Sequence, residues 1–431
     1  MRKSLALLAA LAALAAGCGA DTKRATNVTS SSATLNAEVS CASGTRGTAW
    51  WELRKAGTSA WKAVGASAFA CPNAELHSIG ISKDVAGLRA GVRYDYRLAA
   101  DPAPDGGRIF HSSDTSFATE RFHPGLVASA DHPLSAVAAG VLGADVVRVE
   151  FDIGTPAASM RQSVDVVAKH GARPLLLAGF HGRMPTKAEA ENLATWAAEF
   201  GPGGSFWAGR TDGRLAVQQI EFGNETSYSH QYGDTWSSQS YKDRARLYAT
   251  RFAQARAAVA MSGRDVGLLA QADDGGTGSS NWVDGMFAAV PNLEQLVDGW
   301  IVHPYGPRGT WEPKIDRLIA QTAANGAPAT IPIDVTEYGL SSANGMALTD
   351  NYGWPVNQTY AQAASALDGT IAGMRADPAI GPRLRHFLIY AAHDLRPPGT
   401  SNQRESNFGV LHHNLAGKGA YSTEVREQLD R

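Results

Sequence analysis

Cysteine is scarce, with three in 431 residues. A framework of many disulfides and a four-cysteine metal knuckle are thereby both excluded. Charge of one sign is lacking too: the formal net charge is −2 and no basic block interrupts the chain. A nucleic-acid partner, which needs clustered Lys and Arg against phosphates, is therefore not expected. The longest apolar run, from about Leu5 to Ala16, is too short to span a bilayer comfortably. No Gly-rich phosphate loop follows the early strand-like runs, no Gly-x-Ser-x-Gly elbow is present, and Ser129-Ala130-Asp131-His132 has no His-x-His pair for a metallohydrolase. No cofactor or metal is expected. What remains is an apolar fraction of 44%, enough for a large core, together with 45 glycines and ten tryptophans.

The N-terminus reads as a targeting segment over residues 1–17: Met1-Arg2-Lys3 is positive and an apolar stretch follows. Leu14-Ala15-Ala16-Gly17-Cys18 resembles a bacterial lipobox, with Ala15 where that pattern prefers a larger residue. The resemblance implies lipidation of Cys18, a membrane anchor, a polar tether over 18–26 and an exported chain. Cys41 and Cys71 then remain, and an exported pair reads as a disulfide closing about thirty residues, worth about 3 kcal/mol.

Residues 27–120 read as short strands. Val28–Val39, Thr48–Arg54, Val92–Leu98 and Ser113–Thr119 are β-prone, with turn residues between them. Leu88-Arg89-Ala90-Gly91-Val92-Arg93-Tyr94-Asp95-Tyr96-Arg97-Leu98 with Ser116-Phe117-Ala118-Thr119 resembles a fibronectin type III module, an all-β sandwich in which Tyr94 would be the corner tyrosine. Such modules serve as spacers or binding surfaces, so no chemistry is assigned to it.

The rhythm changes at residue 122. Eight apolar runs alternate with helical stretches: Gly125–Ser129, Val146–Asp152, Arg173–Gly179, Val217–Glu225, Val266–Asp273, Gly299–Tyr305, Ile331–Glu337 and His386–Ala392. Lys187–Phe200 and Tyr241–Ala260 show helical spacing. Eight strand–helix units in 122–431 predict an α/β fold, a closed (β/α)8 barrel, in preference to an open doubly wound sheet.

In such a barrel the chemistry sits at the C-terminal strand ends. Those ends bring Arg148, Glu150 and Asp152 from the second strand, Asn224-Glu225 from the fourth, and Asp273-Asp274 from the fifth. The sixth contributes His303-Pro304-Tyr305, and the seventh Thr336-Glu337-Tyr338-Gly339. With the tail Glu405-Ser406-Asn407-Phe408-Gly409-Val410-Leu411 and Lys418-Gly419-Ala420-Tyr421, this pattern resembles the clan A glycoside hydrolases, nearest to families 5 and 39. The resemblance implies a retaining enzyme acting on β-linked carbohydrate. Glu225 would be the acid/base, its proton held by apolar surroundings and the neighbouring carboxylate, and Glu337 the nucleophile. Arg148 would keep Glu337 ionised and Tyr305 would hold its rotamer. Asn224 would bond the sugar 2-hydroxyl, and His303 would orient the pair or touch substrate. His181 is a further candidate contact. Glu221, inside strand four, reads as structural.

Those families place a Trp at the end of strand eight, where this chain has Tyr390-Ala391-Ala392-His393. Tyr390 or His393, or else Trp282, Trp311 or Trp354 from the loops, is expected to supply the sugar platform. Two other classes were weighed: a non-catalytic sugar-binding surface lipoprotein on a decayed barrel, and a metal-dependent barrel hydrolase.

Overall fold

The computed structural model describes residues 18–26, 28, 32–42, 44–71, 77–86, 88, 92–102, 109–119, 122–128, 132–228, 231, 241–273 and 281–430. The expected targeting segment, 1–17, lies outside them. The chain divides into two compact units, Met1–Phe122 and His123–Arg431.

The first unit consists of antiparallel strands: β1 (Cys18–Thr26), β2 (Ser32–Cys41), β3 (Arg46–Lys55), β4 (Lys62–Ala70), β5 (His77–Ala86), β6 (Arg93–Asp101), β7 (Phe110–His111) and β8 (Thr115–Ala118). They form one sheet in the order β1-β2-β5 and a second in the order β4-β3-β6-β7, with β8 also on β6. Alternation produces the core: Trp51 and Leu53 of β3, Tyr96 and Leu98 of β6, and Leu35 and Val39 of β2 are buried in one cluster. Tyr94 is buried and stacks on Phe117 at 5.7 Å.

The tether expected over 18–26 is instead strand β1. Its composition is polar, but Thr22 and Ala25 turn inward, while Lys23 faces out to Asp21 and Glu38 at 2.9 and 3.0 Å. Pairing with β2 from Cys18↔Cys41 to Thr26↔Thr34 satisfies its backbone.

A disulfide joins Cys41, at the end of β2, to Cys71, just after β4, and so staples one sheet to the other. The sequence separation is 30. Replacing both cysteines by Ser is expected to destabilise this unit by roughly 3 kcal/mol. Hydrogen exchange of the β6 amides in the full chain, about a hundredfold faster in the variant, would show it.

The second unit is a closed parallel barrel. Its strands are β9 (His123–Val127), β10 (Val146–Asp152), β11 (Arg173–Gly179), β12 (Gln219–Phe222), β13 (Gly267–Gln271), β14 (Gly299–Val302), β15 (Ile333–Tyr338) and β16 (Leu384–Ile389), and β16 pairs back onto β9. Helices α1 (His132–Leu142) and α2 (Ala157–Lys169) follow the first two strands. After the third come α3 (Lys187–Glu191) and α4 (Leu193–Phe200), and after the fourth α5 (Tyr241–Met261). Then follow α6 (Asn281–Ala289), α7 (Arg308–Ala324), α8 (Tyr360–Ala376) and α9 (Ala420–Asp430), one after each remaining strand.

Two boundaries differ from expectation for local reasons. The helix expected over 187–200 breaks at Asn192, whose amide donates to the Ile153 and Thr155 carbonyls at 3.2 Å. The fourth strand stops at Phe222, three residues before Glu225, because Gly223 adopts φ 83°. A Cβ there would lie 2.3 Å from Thr226 Cγ2, so only Gly permits the turn. No helix among the described residues is long and apolar enough to cross a membrane.

Candidate active site

Parallel pairing aligns the strand ends on one rim, and six of the residues singled out in the sequence converge there. Arg148 lies in β10 with its side chain 4% exposed. Its Nε and Nη2 donate to both oxygens of Glu221 at 2.7 and 2.8 Å, its Nη2 to Asn224 Oδ1 at 2.7 Å, and its Nη1 to Glu337 Oε2 at 3.1 Å. Tyr305 Oη donates to the other oxygen, Glu337 Oε1, at 2.5 Å. His303 lies beneath the rim, its Nδ1 3.2 Å from Glu225 Oε1 and its Nε2 3.1 Å from Thr336 Oγ1. Gln231 Nε2 donates to Glu225 Oε2 at 3.3 Å. Glu225 itself stands at φ 44°, a left-handed conformation costly for a side chain of its size and typical of functional positions.

Around Glu337 and Glu225 opens a cleft of about 750 Å³, lined also by Glu150, Tyr228, Tyr352, Tyr390, Arg404 and Glu405. The nearest ligand atoms of Glu225, His303 and Glu337 all lie within 4.8 Å of one another. That spacing would also suit a cation, but the donor set does not. Both oxygens of each carboxylate already have hydrogen-bond partners, and the Arg148 guanidinium 3.1 Å from Glu337 would repel a second positive charge.

The charges explain one another. Burial pushes the Glu337 carboxyl up from the ordinary carboxylate range and Glu225 adds to the push, while His303, Arg148 and the Tyr305 hydrogen bond oppose it. Burial works against a charge on His303, but Glu337 and Glu225 more than offset this and raise it above the ordinary imidazole. Burial and Glu337 hold the Tyr305 phenol far above its usual range, so it remains a donor. Arg148 is held cationic by Glu221 and Glu337 against its burial.

Glu221, bonded through both oxygens, is thus the fixed counter-ion of Arg148. Asp273 is bound to Lys314 at 2.8 Å and Asp394 to Lys418 at 2.7 Å, which accounts for both inside the fold. Asp274 lies outside the described residues.

Trp282 must be corrected. It is fully buried on α6, donates from Nε1 to the Gln271 carbonyl at 3.0 Å, and packs on Tyr241 and Tyr248. It is not among the described residues that line the cleft around Glu225 and Glu337. Trp311 is likewise core, at 1% exposure. His393 is buried with Nδ1 on the Asp394 carbonyl, which leaves Tyr390 as the aromatic of the β16 end that lines the cleft. His181 is exposed, 3.9 Å from Glu150 Oε1, and lies outside the cleft wall.

Sequence reasoning missed Tyr352, Arg404, Tyr228 and Gln231, all on loops whose destination no periodicity encodes. Arg404 lies over the Tyr352 ring at 3.9 Å, and Tyr352 packs on Tyr305 at 4.6 Å.

The fold and site together define a closed parallel β-barrel with a paired-carboxylate cleft at its C-terminal rim. No family model matches the chain, and no curated protein sequence matches it. Among solved structures it is similar to a Bacteroides uniformis β-glucuronidase 2 covalently bound to cyclophellitol-6-carboxylate aziridine, with 13% identity and TM-score 0.47 over 95% of this chain and 50% of that one. It is also similar to a putative β-galactosidase from Bacteroides fragilis (12%, 0.44, 96% and 61%) and to a GH2 β-galacturonidase from Eisenbergiella tayi bound to galacturonate (10%, 0.46, 95% and 72%). The chain thus spans half to three-fifths of the first two. Similarities this distant bear on neither the reaction nor the substrate, for which the site itself is the ground.

Proposed function

We propose that the barrel is a retaining β-glycosidase, an O-glycosyl hydrolase working by double displacement. The observation that carries this reading is the environment of Glu337, which takes Tyr305 on one oxygen and Arg148 on the other with Glu225 facing it. A nucleophilic carboxylate must be ionised and fixed in one rotamer, and these two donors do both. Retention requires carboxyl groups close together, about 5–5.5 Å apart, and the proximity of Glu225 to Glu337, with oxygens within 4.8 Å, supports that over the wider spacing of an inverting pair.

In the first step Glu337 attacks the anomeric carbon and forms a glycosyl ester while Glu225 gives its proton to the departing oxygen. In the second, Glu225 takes a proton from water, which attacks the same carbon and releases Glu337. His303 sits against Glu225 and steadies whichever state it holds. Asn224, oriented by Arg148, presents its amide to the sugar 2-hydroxyl. Tyr390 stands where the related barrels have Trp and supplies the platform.

The same proposal covers the rest of the chain. Residues 27–120 form a fibronectin type III-like spacer, and Cys18 is the lipidated anchor of an exported bacterial protein; the Cys41–Cys71 disulfide supports the oxidising compartment. With β1 beginning at Cys18, the anchor would act without a tether.

The test is hydrolysis of β-linked oligosaccharides and aryl β-glycosides, with product anomers followed by NMR. Retention is expected, and inversion would sink the mechanism. Glu225→Gln should lower kcat/KM on oligosaccharides by about 10²–10⁴-fold but spare kcat/KM on aryl glycosides whose leaving group needs no proton, while kcat falls on both because the second step loses its base. Equal loss of kcat/KM on both would remove Glu225 from the acid role.

The pH dependence follows from Glu337. A carboxyl raised by burial is ionised only above its shifted pKa, so activity falls as pH drops through it. The acid limb of kcat/KM should therefore lie above the ordinary glutamate value of about 4.3. A limb below that value contradicts the assignment.

A further inference from the structure

We infer that the central sugar site takes an electrically neutral sugar and rejects one bearing a carboxylate or sulfate: both guanidinium groups lining the cleft are already held by carboxylates, and Glu405 offers a further carboxylate as acceptor for sugar hydroxyls. This inference rests on the glycosidase reading above.

Among the described residues, Arg148 and Arg404 are the Lys or Arg side chains that line the cleft. Arg148 spends its donors on Glu221, Asn224 and Glu337. Arg404 donates from Nε to Glu405 Oε1 at 2.9 Å and from Nη1 to Asp350, and one face is covered by Tyr352. An anionic sugar would have to compete with these carboxylates for the same cations.

Carboxylates dominate the walls instead. Glu150, 46% exposed, and Glu405, 51% exposed, line the cleft beside the catalytic pair. Tyr390 and Tyr352 line the same cleft as Glu337 and Glu405. A sugar stacked on Tyr390 over Glu337 therefore shares that cleft with the Glu405 carboxylate. Glu405 keeps Oε2 clear of the Arg404 contacts, and a carboxylate oxygen is a strong acceptor for sugar hydroxyls. The same oxygen repels an anionic substituent in a partly desolvated cleft.

The test uses full-length protein and aryl β-glycosides matched except at C6: glucoside against glucuronide, galactoside against galacturonide, and mannoside against mannuronide. For whichever configuration is cleaved, kcat/KM should favour the neutral member by about 100-fold or more. Glu405→Gln should raise KM for the neutral sugar and narrow that ratio by about tenfold, because the amide removes the repulsion. A uronide cleaved within tenfold of its neutral twin, or faster, overturns this inference and leaves the glycosidase standing. A ratio unmoved in Glu405→Gln removes Glu405 from the discrimination. If wild type cleaves no member of any pair, the glycosidase reading falls and the inference with it.

Discussion

Glu337→Gln should abolish turnover, lowering kcat on the order of 10⁴-fold or more on every glycoside the wild type cleaves. An amide cannot form the glycosyl ester, and no nearby group can substitute, since Glu225 faces the leaving oxygen and His303 lies beneath the rim. The fold should survive. The amide oxygen can keep the Arg148 donor and its NH2 can donate to Tyr305 Oη, so both contacts persist in altered polarity. Circular dichroism and melting temperature close to wild type would confirm that the loss is chemical. In the wild type, an aryl glycoside with fluorine at C2 should leave one sugar attached to the peptide containing Glu337, detectable by mass. Residual activity above a few per cent of wild type, or label on another residue, would remove Glu337 from the nucleophile role.

The second large effect concerns stability. Arg148→Met leaves Glu221, 0% exposed, without the guanidinium that bonds both of its oxygens. Stranding a buried charge costs about 3–5 kcal/mol. For a barrel of this size that is a fall in Tm of roughly 5–8 °C. Catalysis should fall as well, because Glu337 and Asn224 lose the same side chain. The two losses separate in the double variant Arg148→Met/Glu221→Leu. Replacing a whole buried ion pair by apolar groups is often neutral, so Tm should largely recover while kcat/KM stays low. A double variant as unstable as the single would mean that the Arg148–Glu221 pair does not account for the instability.

These two residues also show how far the sequence carries. Arg148 was legible as a strand-two residue near Glu337, and the structure places it there. Glu221 read as structural, yet its role as the second anchor of Arg148 depends on the shear that sets β10 and β12 side by side across β11. Trp282 shows the opposite failure. Its aromatic surface suggested a sugar platform, but the inward face of α6 put it against Tyr248 in the core. A lone Trp looks the same in sequence whether it faces sugar or packing. Strand β16 begins at Leu384, two residues before the expected run, because Arg385 is buried on Asp334 at 2.7 Å. Charged residues hide a strand when their partner lies on a neighbouring strand.

By itself the sequence determined the alternation of eight apolar runs with helical stretches, the change of rhythm near residue 122, and the two carboxylates at the ends of runs four and seven. Each is a local property, set by side-chain period and by the turn residues that interrupt it. The tertiary structure alone decided which face each strand end presents, that 18–26 is a sheet strand and not a tether, and that Tyr352, Arg404 and Glu405 line one cleft with Glu225 and Glu337. These depend on barrel closure and on long loops folding back over the rim. Contacts between distant positions leave no periodic trace, because side-chain period records only which residues share a face of one element.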